Sequence, residues 1–178
     1  MTSNTRTRCC LPAILIAATT LASAARAESN WPRYRGPDGS GHCAEANFPV
    51  RWGADDVVWR TELEGEGNSS VCLWGERIFL TTARRTDNGQ VERIVLCLDR
   101  NDGRRIWRQV ASVGDAESVH KMNSYATPTC ATDGERVVAF FGRGGIHCYD
   151  VDGKPLWSHD LGTFPGPCVF LASLRYGI

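Results

Sequence analysis

The residues best equipped for chemistry in this 178-residue chain are four histidines, two groups of turn aspartates, a serine pair, a glycine run and eight cysteines. His42, His120, His147 and His159 are scattered, and no two stand at the spacing of metal ligands. Surface or structural roles account for them. Asp99 and Asp102, like Asp150 and Asp152, offer the oxygen ligands that calcium prefers. Each group stands just ahead of a glycine, Gly103 or Gly153, and turn formation accounts for the carboxylates fully. Gly142, Arg143, Gly144 and Gly145 lack the strand-to-helix setting of a phosphate loop and read as a hairpin turn. Ser69 and Ser70 lack the Gly-x-Ser-x-Gly setting of a nucleophile elbow. The chemistry on offer is therefore that of turn building.

The elements that would position these residues recur about every fifty residues. Trp59, Trp107 and Trp157 mark the period, with spacings of 48 and 50 residues. Gly75-Glu76-Arg77-Ile78 is echoed by Gly134-Glu135-Arg136-Val137, and Cys97-Leu98-Asp99 by Cys148-Tyr149-Asp150. A period of this length marks a solenoid, a propeller or an array. Short apolar runs at 57–63, 69–74, 77–82, 91–99 and 105–110 predict strands, followed by a second set at 126–131, 136–141, 146–150 and 155–161. The joining turns carry Asn-Gly or Asp-Gly, which suit tight hairpins because glycine accepts positive φ. Four short antiparallel strands in about fifty residues is the size of a propeller blade. The expectation is an all-β partial propeller of about two blades plus pieces. Residues 28–56 would form an irregular, proline- and glycine-rich entry segment, 57–163 the repeats, and 164–178 an atypical tail that does not continue the repeat. That tail suggests a truncated ring whose exposed faces would make the isolated chain self-associate.

Residues 1–27 read as a secretory signal peptide: Arg6 and Arg8, an apolar run from Leu11 to Ala22, and a small-residue cleavage site at Ala25 and Ala27. The chain would then be exported to the periplasm or beyond, with no membrane-spanning segment left after cleavage. Its formal net charge is +0, which gives no reason to expect nucleic acid as a partner. Six cysteines would remain: Cys43, Cys72, Cys97, Cys130, Cys148 and Cys168. Export permits disulfides. The repeat argues against them, because Cys97 and Cys148 occupy equivalent positions and Cys72 and Cys130 nearly so. On the first and third strands of one sheet, Cys72 and Cys97 would stand about 9.5 Å apart, beyond a disulfide's reach. Cys72, Cys97, Cys130 and Cys148 read as small buried apolar residues.

Cys97-x-Asp99-x-x-x-Gly103-x-x-x-Trp107 resembles the tryptophan-docking motif of quinoprotein propellers, in which a small residue, an aspartate, a glycine and a tryptophan stand at these intervals. Cys148-x-Asp150-x-x-Gly153-x-x-x-Trp157 is the same pattern with a turn one residue shorter. The segment from Asn30 to Gly41 is similar to the start of secreted bacterial PQQ-like repeat proteins, as are Ser69-Ser70 and the run Asn123 to Pro128. The resemblance implies that Asp99, Gly103, Trp107, Asp150, Gly153 and Trp157 are blade-docking residues rather than catalytic ones. It implies a non-catalytic binding or scaffolding role, with no cofactor in this stretch and a protein or small-molecule partner. The alternative is the N-terminal part of a PQQ-dependent oxidoreductase, which would need the quinone and calcium. No ligand set for either can be placed here. A WD40- or kelch-like propeller is disfavoured, because neither the Trp-Asp nor the di-glycine signature recurs in phase.

Overall fold

Between Arg77 and Asp99 the chain builds two nine-residue strands that are buried along most of their length. The computed structural model describes residues 30–43 and 49–162. The leader at 1–27, and the tail at 164–178 with Cys168, lie outside the described residues. The first sheet runs in the order β1 (Cys72–Trp74), β2 (Arg77–Arg85), β3 (Val91–Asp99), β4 (Arg105–Gly114). The second runs β5 (Ala131–Thr132), β6 (Arg136–Phe140), β7 (Ile146–Asp150), β8 (Pro155–His159). Every pairing is antiparallel between neighbours in sequence, so each sheet is a four-stranded meander. Two such meanders packed face to face make a partial β-propeller.

Side chains alternate between the two faces of a strand, and this divides the core in two. Phe79, Ala83, Val91, Val95 and Cys97 of the first sheet pack with Cys130, Val137, Ala139 and Tyr149 of the second. Ile78, Leu80, Ile94, Leu96 and Leu98 point the other way and meet Trp59 and Leu73. The first sheet is thus covered on both faces, which explains why β2 and β3 are buried almost without interruption. In the second sheet, β8 is exposed along its whole length.

Several elements depart from expectation. The run at 57–63 belongs to no sheet. It lies against the first sheet through Trp59 but has no neighbouring strand among the described residues, and a strand is defined by its ladder. The expected strand at 126–131 shrinks to Ala131–Thr132, because Pro128 cannot donate to a ladder and its carbonyl is taken by Thr81 Oγ1. β2 runs longer than expected and shortens the polar hairpin loop before β3, and β4 runs longer and shortens the connection that follows it. Gly142–Gly144 is one turn of 3-10 helix rather than a plain hairpin turn. Each sheet also carries a β-bulge where the register slips, between Cys97 and Leu98 and between Cys148 and Tyr149. The extra residues are Ile106 and Leu156, each directly ahead of a periodic tryptophan. A bulge bends its strand and re-aims the next side chain.

Candidate functional site

Both turns begin with an aspartate folded back on its own backbone. Asp99 Oδ1 accepts the Asn101 N–H at 2.8 Å, and Asp150 Oδ1 accepts the Asp152 N–H at 3.0 Å. The bond from the Asn101 N–H holds the Asp99 carboxyl below the usual carboxylate range. Gly103 N then bonds Asp99 O at 2.9 Å and Gly153 N bonds Asp150 O at 3.0 Å. The glycines take φ of +72° and +87°, where a side chain would be strained. The two turns differ by one residue in length yet close in the same way.

Onto each turn falls a tryptophan from the preceding unit. Trp59 Nε1 donates to Arg100 O at 2.9 Å, and Trp107 Nε1 donates to Val151 O at 2.9 Å. Both acceptors are the residue directly after the turn aspartate. A second donor stands two residues beyond each tryptophan: Thr61 Oγ1 bonds Gly103 O and Gln109 Nε2 bonds Gly153 O, each at 2.7 Å. The indole rings lie where a glycine side chain would be. A Cβ on Gly153 would come within 2.8 Å of Trp107, and one on Gly103 would overlap Trp59 and Thr61. Cys97 sits directly across the ladder from Trp107, as Cys148 does from Trp157. A small residue at that position leaves room for the ring. Trp157 itself meets no such turn among the described residues. It is 42% exposed and lies 5.4 Å from the His159 ring.

Sequence reading of the turns omits several partners in these contacts. Thr61 and Gln109 share an offset from their tryptophans, and that offset was the available signal. Arg77 reaches across to the second turn, bonding Val151 O and pairing with Asp152 at 2.7 Å. Nearer the inner strands, Trp74 packs on Gly134 (φ +90°), which could not carry a Cβ there. Arg84, Glu92, Arg108 and Glu64 form a chain of ion pairs that ties the 57–66 segment to the first sheet.

A crevice of about 500 Å³ opens between the sheets at their other end, lined by Arg93, Ser112, Arg143, His147 and His159 among others. Arg93 is only 2% exposed. It pairs with Glu117 and lies over the Tyr125 ring at 5.7 Å. Its neighbours in register, Ala83 and Ser112, are small. The expected structural role of His147 has a visible counterpart in its Nε2 contact with Gly144 O at 2.7 Å. His42 and His120 are exposed and lie away from this crevice.

Among protein families, the model PQQ_2, described as outer membrane protein assembly factor BamB, matches residues 52–166. Among solved structures, the crystal structure of BamB from Moraxella catarrhalis is similar at 22% identity and a TM-score of 0.39. The similarity covers 61% of this chain and 29% of that one, so the chain spans less than a third of that structure's length. No curated protein matches.

Proposed function

Because the chain belongs to the PQQ_2 family, described as outer membrane protein assembly factor BamB, we propose that it is an exported, non-catalytic propeller repeat that binds or scaffolds protein partners. The observation that carries this reading is the twofold use of one docking geometry. Trp59 with Thr61, and Trp107 with Gln109, each spend their polar groups on the backbone of the next turn. Asp99 and Asp150 spend theirs on their own turns. The motif's hydrogen-bonding capacity goes into joining one blade to the next, which makes a stiff frame. On such frames the loops at the ends of the blades present the binding surface. The family's description supports protein as the class of partner and the cell envelope as the location.

Two measurements on the full-length protein test this. The first is a binding titration against purified components of outer-membrane protein assembly, in which a saturable complex is expected. The second adds pyrroloquinoline quinone and calcium and follows quinone absorbance and dye reduction. Bound quinone with calcium-dependent dye reduction, and no protein complex, would replace the scaffolding reading with the oxidoreductase one.

A further inference from the structure

Four of the described cysteines are buried, and all are free thiols. They are not equivalent in what they can reach. Cys72 and Cys97 sit on either side of Phe79 in one line across the first sheet, Cys72 opposite Phe79 and Phe79 opposite Cys97. Two strand spacings, about 9.5 Å, separate them, more than a disulfide spans. Cys148 belongs to the far face of the second sheet, since its neighbour Tyr149 points into the core between the sheets. That sheet therefore stands between Cys148 and the other three.

Cys72 and Cys130 are placed differently. Both are 0% exposed and both belong to the core between the sheets. Both lie in the same buried cluster, with Ala126, Val137 and Tyr149. The backbones on either side are stitched together: Asn68 N to Ala126 O at 3.1 Å, Ser70 N to Thr129 Oγ1 at 3.0 Å, and Thr81 Oγ1 to Pro128 O at 3.1 Å. A bond between the two sulfurs would join facing inner segments of consecutive blades without passing through a strand.

We propose that Cys72 and Cys130 are a disulfide site, and that their bond staples the two blades across their shared core. The reaction is exchange with a small-molecule or protein disulfide. With glutathione disulfide, the two thiols lose their protons and an electron pair, the Sγ–Sγ bond forms, the glutathione S–S bond breaks, and two molecules of reduced glutathione leave. The bond forms while the interface is still open. In the closed interface the neighbouring Cys130 and burial push the Cys72 thiol far above its ordinary range, so the attacking thiolate is scarce. Closing a loop between positions 72 and 130 removes much of the freedom of the unfolded chain.

The test uses the full chain, reduced and denatured, then refolded in a glutathione redox buffer. Free thiols are alkylated and the protein is digested for mass spectrometry. The expected product is a peptide pair linked through Cys72 and Cys130. Reduction should then lower the thermal midpoint by roughly 10 °C, and the Cys130→Ser variant should show no such response. Alkylated Cys72 and Cys130 after refolding, or either residue joined to another cysteine, would overturn the proposal. So would a Cys72–Cys130 link whose reduction leaves the midpoint unchanged.

Discussion

At the scale of single residues, the docking tryptophan and its glycine act as one unit. The indole ring occupies the space a side chain would need, and the N–H finds a carbonyl of the same turn. Gly153→Ala places a Cβ into Trp107 and forces an L-residue to φ +87°. Both effects destabilise, together on the order of 3 kcal/mol, measurable by urea denaturation. Trp107→Phe keeps most of the packing and loses one hydrogen bond. Val151 O still receives Arg77 Nη1, so the expected cost is about 1 kcal/mol. Trp107→Ala removes the ring as well and should cost about 3 kcal/mol. Trp157→Ala in the same chain should cost about 1 kcal/mol or less, because the ring is 42% exposed and no turn receives it among the described residues. Equal losses for the two tryptophans would remove the distinction between a seated ring and an unseated one.

At the scale of elements, charge rather than apolar area holds the 57–66 segment along its polar side. Glu64 pairs with Arg108 at 2.6 Å and with Arg105 at 3.1 Å, and Glu92 pairs with Arg84 at 2.6 Å. The hydrogen bond from Arg108 holds Glu64 below the ordinary carboxylate range, and that from Arg84 does the same for Glu92. Folded values lower than unfolded ones mean that the unfolded chain takes up these protons first as pH falls. The stabilisation is complete above the ordinary glutamate value of 4.5 and is lost as pH drops through the depressed folded values. Thermal melts should therefore show a falling midpoint below about pH 4.5, made shallower by Glu64→Gln. At pH 7 that substitution should cost no more than about 1 kcal/mol, since these pairs are partly exposed. It should also weaken at high salt.

At the scale of the whole molecule, the two sheets are unequally covered. The first is buried on both faces. The second presents exposed Leu156 and Trp157 on an exposed strand. Exposed apolar residues beside an uncovered strand favour association between copies. Sedimentation velocity on the isolated chain should show concentration-dependent self-association, reduced by Trp157→Arg. A monomer at all concentrations, with one cooperative melt, would show that the second sheet needs no further cover.

The sequence alone determined the strand-rich class, the fifty-residue period, and the turns around Asp99–Gly103 and Asp150–Gly153. These are local properties: alternation, positive φ and side-chain-to-backbone bonds act over a few residues, and each copy of the motif repeats them. Only the tertiary structure decided which tryptophan meets which turn. Trp107 lies on the turn of the following unit, not on its own, and the bulges at Ile106 and Leu156 accompany that aim. It also decided that the run at 57–63 lies against a sheet without joining one, that Arg93 is buried among small neighbours, and that Cys72 and Cys130 share one core. The tryptophan contacts join residues more than forty positions apart. The reason is physical: a periodic pattern specifies which face of a strand is apolar, but the partner of that face is chosen only when the sheets pack.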